Sequence, residues 1–143
     1  MARPPAAVVD ASVAAKWFLQ EPHSEAALSL RDAHVDGNVS LVAPSLVIVE
    51  VANALRYHPG IGSELLADHV TALLDLGLGL DPVSEESISA AVRCAYRVGL
   101  TVYDAWYISL AERMDCPLVT ADQTQLRAAG ARGVHVDRWP ASE

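Results

Sequence analysis

The stretch Ala6-Ala7-Val8-Val9-Asp10-Ala11-Ser12 is the strongest indication of the fold. Its first four residues are apolar and partly β-branched, which predicts a short buried strand. Asp10 and Ser12 end that strand, and the composition of residues 13–19 favours a helix. A wholly apolar strand that is followed at once by a helix is typical of parallel sheets covered on both faces.

Apolar strand-like runs alternate with helical stretches along the rest of the chain. Further strands are predicted at residues 39–43, 79–83, 117–120 and 134–136. Helices are predicted at 24–35, 45–57, 61–76, 84–98, 103–114 and 123–129, with Ser45 and Ser84 as N-caps of two of them. This alternation predicts a single α/β domain built on a parallel sheet.

The size and composition of the chain agree with one globular domain that spans residues 1–143. Hydrophobic residues make up 52% and charged residues 20% of the chain, which excludes a disordered or linker-like protein. The formal net charge of -8 would repel a phosphate backbone if it were spread evenly over the surface. The positions of the carboxylates therefore become the main functional question.

Targeting and redox signals are weak. Cys94 and Cys116 are far apart and form no CxxC motif, so we expect neither a disulfide scaffold nor a zinc site of the cysteine type. Asp10 interrupts the first apolar stretch too early for a signal peptide. Pro44 and Ser45 interrupt the apolar residues 41–49, and Glu50 ends them, so no transmembrane helix is predicted. A cytoplasmic protein is the expectation.

Four carboxylates occupy positions that matter in an α/β fold. Asp10 ends the first predicted strand and Asp122 lies just past the fourth, where open α/β sheets bind ligands. Asp104 falls near the start of a helix, and Glu50 lies in an almost wholly apolar helical stretch. Ordinary explanations remain open: turn formation by Asp10 and Asp122, an N-cap at Asp104, and an ion pair between Glu50 and Arg56.

If these carboxylates converge, they repel one another unless a cation lies between them. Carboxylate oxygens are the ligands that hard divalent ions prefer, so Mg²⁺ or Mn²⁺ is the expected cofactor. Such ions activate water and stabilise phosphoryl transition states, which points to phosphodiester hydrolysis. The five histidines show neither HxH nor HxxxH spacing, so no histidine-rich metal site is predicted.

The order of these motifs resembles the PIN-domain ribonucleases, and among them the VapC-like toxins of type II toxin-antitoxin systems. The resemblance covers nearly the whole chain. It rests on Val8-Val9-Asp10-Ala11-Ser12, Glu50-Val51-Ala52-Asn53-Ala54-Leu55, Tyr103-Asp104-Ala105-Trp106-Tyr107-Ile108-Ser109-Leu110-Ala111 and Leu118-Val119-Thr120-Ala121-Asp122. It implies a three-layer sandwich around a five-stranded parallel sheet of order 3-2-1-4-5. It also implies RNA cleavage, a homodimer and a small cognate antitoxin protein.

The resemblance also implies a role for each matching residue. Asp10, Glu50 and Asp104 would hold Mg²⁺, and Asp122 would complete the site or help to bind a second ion. The hydroxyls of Ser12 and Thr120 would orient carboxylates or water. The amide of Asn53, on the same helix as Glu50, would support them.

Two other functions remain open at this point. A PIN-like module without catalysis would bind partners only, and a phosphotransfer or phosphatase domain would also use an acidic pocket in an α/β fold. The phosphotransfer or phosphatase function lacks support, because Asp10-Ala11-Ser12 does not contain the second Asp of a DxD motif. The aromatic residues near the predicted site, among them Trp106 and Tyr107, are interpreted mainly as core residues, with an antitoxin surface as the alternative.

Overall fold

A computed structural model describes residues 3–140 of the chain and contains one five-stranded parallel sheet. The strand order is 3-2-1-4-5, which confirms the predicted topology. The strands are β1 (Ala6–Val9), β2 (Ser40–Pro44), β3 (Gly79–Asp81), β4 (Leu118–Thr120) and β5 (Gly133–His135).

Seven α-helices lie within the described residues, together with two short 3-10 turns. The helices are α1 (Ala11–Ala15), α2 (Ser24–Val35), α3 (Val47–Arg56), α4 (Ser63–Asp75), α5 (Glu85–Val98), α6 (Val102–Met114) and α7 (Gln123–Ala129). The turns are Gly130–Arg132 and Val136–Arg138. None of these helices has the length and apolar character that a bilayer crossing requires.

Strand β1 lies at the centre of the core. Val8 and Val9 point to opposite faces of the sheet, and both are 0% exposed, so both faces of β1 are covered. Val8 is paired with Val42 of β2 on one side, and Val9 with Val119 of β4 on the other. Because the strand order reverses between β1 and β4, the carboxyl end of β1 opens into the crevice where such sheets bind ligands.

Several predicted helix starts are wrong. The first helix begins at Ala11 and ends at Ala15 instead of spanning 13–19, because the Asp10 side chain accepts from Val13 N and caps it. Helix α3 starts after Leu46 without a side-chain cap, so Ser45 is not its N-cap. The Ser84 cap is confirmed, and its hydroxyl forms a capping box with Ser87.

The remaining differences concern element ends. Strand β3 stops at Asp81, β2 is shifted to Ser40–Pro44 and β5 is shifted to Gly133–His135, each within two residues of the predicted limits. Strand ends of this kind depend on ladder hydrogen bonds, which residue patterns do not show. Cys94 and Cys116 are buried free thiols.

Candidate active site

Asp10 is the buried centre of the site. Asp10 is 2% exposed and lies at the end of β1, where the chain continues into α1. Oδ1 accepts hydrogen bonds from Ser12 Oγ (2.7 Å) and Val13 N (3.1 Å), and Oδ2 accepts one from Thr120 Oγ1 (2.5 Å). An ionised carboxylate has about four lone-pair positions, so these three donors hold Asp10 in place and leave capacity for one more ligand.

The environment disfavours a charge on Asp10. Burial raises the pKa of its carboxyl from the usual 3.8 to about 6, and the charge of Asp122 adds to this effect. The hydrogen bonds from Thr120, Ser12 and Val13 act in the opposite direction. A nearby cation would favour the ionised form of this buried acid.

Ser12 and Thr120 also join the ends of β1 and β4. Ser12 Oγ accepts from Ala121 N at 3.0 Å, and Thr120 Oγ1 accepts from Asp122 N at 3.0 Å. Each hydroxyl therefore bonds the carboxylate of Asp10 and a backbone amide just past β4. This linkage holds the chain around Asp122 beside Asp10.

Glu50 is half-buried on α3, and its partner is a tyrosine. Tyr107 Oη donates to Glu50 Oε1 at 2.5 Å, from α6. Burial raises the pKa of Glu50, the tyrosine hydrogen bond lowers it, and the charge of Asp104 raises it. The alternative ion pair with Arg56 is wrong, since the salt bridges formed in residues 3–140 do not include it. The Arg56 guanidinium lies 5.1 Å from the ring centroid of Tyr57.

Asp104 and Asp122 are both exposed, but only Asp122 caps a helix. Thr101 caps α6 by accepting from Asp104 N at 3.2 Å, so the alternative that Asp104 is the N-cap is wrong. Asp122 does cap a helix, since its Oδ1 accepts from Gln125 N at 2.8 Å. The buried Gln125 amide donates to the backbone carbonyl of Asp104 at 2.8 Å and ties α7 to α6.

Tyr107 is the residue whose role the sequence did not reveal. It is 1% exposed, as a core residue should be, yet its hydroxyl enters the acidic site. Its pKa is raised first by burial, then by the hydrogen bond to Glu50 and by the charges of Glu50, Asp10 and Asp104. The helical spacing of three residues from Asp104 was the available signal. The charges of three predicted site residues therefore reach one hydroxyl.

Asn53 lies one turn from Glu50 and is exposed. Its side chain makes no hydrogen bond to any residue in the range 3–140, so the structure does not link it to the carboxylates. Trp17 and Trp106 are buried, as core residues.

The donor set fits a hard divalent cation. Each of the four carboxylates keeps oxygen lone pairs free: Glu50 and Asp122 each use one oxygen, Asp10 has one position left, and Asp104 accepts no side-chain bond within the described residues. None of the salt bridges formed in the described part of the chain involves these four residues. All-oxygen sets of this kind suit Mg²⁺ or Mn²⁺.

The charge of Asp122 acts on Asp10 and that of Asp104 acts on Glu50, but the four carboxylates do not form a tight cluster. In residues 3–140, the group of three potential ligands whose atoms all lie within 4.8 Å of one another is a different one: His23, His135 and Asp137. Two of the four carboxylates are exposed, and mutual repulsion disfavours their approach without a cation. The spacing of the histidines did not predict this group, because the fold joins His23 to a segment that is distant in sequence.

The PIN domain family model matches residues 7–131 of the chain. The chain therefore belongs to the PIN domain family. PIN domains are usually nucleases that hydrolyse phosphodiester bonds, and they generally use divalent metal ions. No curated protein matches the sequence significantly.

Solved structures share this fold at low sequence identity. PAE2754 from Pyrobaculum aerophilum is 24% identical with a TM-score of 0.65, over 93% of this chain and 90% of that chain. FitAcB from Neisseria gonorrhoeae is 15% identical with a TM-score of 0.67, over 91% and 97% of the two chains. A structure of FitAB bound to an IR36 DNA fragment is 13% identical with a TM-score of 0.69, over 91% and 94%.

Proposed function

We propose that the protein is a Mg²⁺-dependent endoribonuclease, for which Mn²⁺ can substitute, and that it is the toxin of a type II toxin-antitoxin pair. The buried carboxylate of Asp10 supports this proposal most strongly. It lies at the switch point of the sheet and is held by three donors, and the charge of Asp122 acts on it. The charges of Asp10, Glu50 and Asp104 all act on the hydroxyl of Tyr107. Membership in the PIN domain family gives the reaction class.

In this proposal Asp10, Glu50 and Asp104 hold the principal Mg²⁺, and Asp122 completes the site or helps to bind a second ion. The ion supplies an activated water and stabilises the charge that develops on the phosphate. Ser12 and Thr120 orient Asp10 by their hydrogen bonds.

Tyr107 orients Glu50 through its hydroxyl, and Asp122 retains one free oxygen while it caps α7. Asn53 is proposed as a supporting residue because it lies three residues after Glu50 in the sequence motif, and not because of a contact in the structure. These side chains are arranged before substrate binds, because most of the hydrogen bonds come from buried or half-buried groups.

The proposed substrate is RNA, and the surface charge favours a selective enzyme. Lys16 pairs with Glu21, Arg31 with Asp32 and Arg97 with Glu112, so these cations are partly neutralised. With a net charge of -8, nonspecific attraction to phosphate backbones is weak. Affinity then depends on the shape of a particular RNA and on the metal ion.

The proposed partners are a second copy of the chain and a small co-encoded antitoxin. Among the proteins of similar fold, FitAB is bound to a DNA fragment in one structure. For this chain we propose that the antitoxin protein binds the nuclease in the cytoplasm and blocks it. The single domain is taken to cover residues 1–143.

The decisive test is cleavage of end-labelled structured RNA by the purified full chain in Mg²⁺, in Mn²⁺ and in EDTA. We expect cleavage with either ion and none in EDTA. Asp104→Asn, which keeps the shape but removes a ligand charge, should lose at least about 100-fold in rate. The matched control is Asp75→Asn, a change of an exposed aspartate at the end of α4, which should keep the wild-type rate.

Cleavage at an undiminished rate in EDTA contradicts the metal mechanism. A folded protein that binds Mg²⁺ but cuts none of a pool of cellular RNAs would instead be a binding module. The toxin assignment has its own test: expression should arrest growth, Asp104→Asn should abolish the arrest, and coexpression of an adjacent small protein should relieve it. Harmless expression of an active nuclease overturns the toxin assignment alone.

A further inference from the structure

A second group of potential metal ligands lies at the same end of the sheet, one strand beyond the acidic site. His135 ends β5 and is paired in register with Thr120 of β4. Asp137 follows in the turn Val136–Arg138, and His23 directly precedes α2. His135 and Asp137 are neighbours in one segment and His23 is more than one hundred residues away, so their convergence is a product of the fold.

The geometry places one carboxylate between two imidazoles. Asp137 Oδ1 lies 2.5 Å from His135 Nδ1, and Asp137 Oδ2 lies 3.9 Å from His23 Nδ1. The two rings meet edge to face, with centroids 4.8 Å apart. One ligand atom from each residue lies within 4.8 Å of the others. A common ion requires side-chain rotations that bring one ligand atom of each residue to it, since His135 Nδ1 here also accepts from Asp137 N at 3.3 Å.

One residue of the group is nearly buried and two are partly exposed, so one potential ligand is held by its surroundings and two can change their side-chain conformation. The side chain of His135 is 11% exposed, while those of His23 and Asp137 are 42% and 44% exposed. His23 has φ 70°, a left-handed conformation that few residues other than glycine adopt, and its side chain makes no cap to α2. The ring is therefore free to face His135 and Asp137.

The group opens into a cleft with room for a further ligand. This cleft has a volume of about 1060 Å³, and it is lined by the three residues together with Gln123, Arg138 and Trp139. A water molecule or a substrate atom can therefore complete a coordination sphere from the solvent side. Three protein ligands and one open position are typical of zinc sites that bind a further molecule.

We propose that His23, His135 and Asp137 form a binding site for a divalent transition-metal ion, with Zn²⁺ as the preferred ion. Two imidazole nitrogens and one carboxylate oxygen select Zn²⁺ over the hard ions Mg²⁺ and Mn²⁺, which prefer oxygen ligands. The ion ties the start of α2 to the end of β5. The site is separate from the four carboxylates and does not depend on the proposed nuclease activity.

The test is titration of Zn²⁺ into the untagged full chain by calorimetry, in excess Mg²⁺ so that the acidic site is occupied by the hard ion. We expect one Zn²⁺ per chain, and a visible absorption spectrum with nitrogen ligation when Co²⁺ replaces it. His23→Asn should weaken Zn²⁺ binding at least about tenfold. This change suits the fold, because Asn tolerates positive φ. His135→Gln should act in the same direction.

Two control variants separate this site from other sources of Zn²⁺ binding. His58→Gln removes an exposed histidine whose ring, among residues 3–140, bonds only Gly60 of its own loop, and it should leave Zn²⁺ affinity unchanged. Asp104→Asn should also leave it unchanged, which shows that the ion is not bound by the carboxylates.

The proposal is overturned if the wild-type chain binds no Zn²⁺ under these conditions, since the three side chains then only contact one another. It is equally overturned if His23→Asn and His135→Gln both bind as the wild type does, or if Asp104→Asn abolishes binding.

Discussion

The hydroxyl of Tyr107 donates to Oε1 of Glu50 at 2.5 Å and joins α6 to α3 across 57 residues of sequence. Burial is the main cause that raises the pKa of Tyr107 far above its usual value, followed by the hydrogen bond to Glu50. The tyrosine therefore stays protonated and remains a donor throughout the ordinary pH range. It holds Oε1 of Glu50, while Oε2 accepts no hydrogen bond within the described residues.

The change Tyr107→Phe tests this relationship, because it keeps the buried ring and removes only the donor. We expect Mg²⁺ affinity, and with it the rate of RNA cleavage at limiting Mg²⁺, to fall about tenfold, since Glu50 loses its orientation. The free energy of unfolding should fall by about 1 kcal/mol, the usual contribution of one such hydrogen bond. Calorimetric Mg²⁺ titration, cleavage rates and urea unfolding measure the three effects.

The matched control is Tyr96→Phe, which removes a hydroxyl from a tyrosine that is 87% exposed on α5. It should change none of the three quantities. If Tyr107→Phe loses stability but keeps wild-type Mg²⁺ affinity, then the tyrosine is a structural residue only and does not position Glu50.

A second prediction concerns the pH dependence of stability in the absence of divalent ions. Burial raises the pKa of Asp10 from 3.8 to about 6 in the folded protein. The folded state therefore holds this proton more tightly than the unfolded state, and the free energy of unfolding falls as pH rises through this window. The penalty is absent below about pH 3.8 and complete above about pH 6, where it reaches about 3 kcal/mol.

Asp10→Asn lacks this titration, so it removes the pH-dependent part of the penalty. In EDTA, the unfolding free energy of the variant minus that of the wild type should rise by up to about 3 kcal/mol between pH 4 and pH 7. Urea unfolding at several pH values measures the difference. A difference that stays constant with pH would mean that Asp10 titrates alike in the folded and unfolded chain.

Much of the fold could be predicted because the decisive residues carry local signals. The apolar strands, Gly and Pro breaks and the Ser84 cap are visible in the sequence, and the strand order followed from the family resemblance. Starts of helices were less predictable. Whether Asp10 or Ser45 caps a helix depends on side-chain hydrogen bonds that form only when the backbone has its final direction.

The acidic residues of the candidate site could be selected from the sequence, but their partners could not. Asp10 and Asp122 lie at strand ends, where topology alone suggests a site. The hydrogen bonds of Tyr107 to Glu50 and of Gln125 to the carbonyl of Asp104 depend on how α6 packs against α3 and α7. The group of His23, His135 and Asp137 has no spacing pattern, because two distant segments form it.

A third prediction separates the two roles of Asp122, which caps α7 and contributes a carboxylate to the acidic site. Asp122→Asn keeps a good N-cap and removes the charge, so in EDTA its unfolding free energy should lie within about 0.5 kcal/mol of the wild type. Asp122→Ala also loses the bond from Gln125 N, and it should be less stable by about 1 kcal/mol. Thermal and urea unfolding in EDTA compare the three proteins.

Addition of Mg²⁺ then reports on the carboxylate alone. When free Mg²⁺ is one hundred times its dissociation constant, the wild type should gain about 2.7 kcal/mol of unfolding free energy. If loss of the charge weakens Mg²⁺ binding tenfold, both variants should gain only about 1.4 kcal/mol at the same concentration. Equal gains for all three proteins would show that Asp122 acts as a helix cap and takes no part in binding the ion, because Asp122→Asn loses the charge alone and Asp122→Ala loses both the charge and the cap.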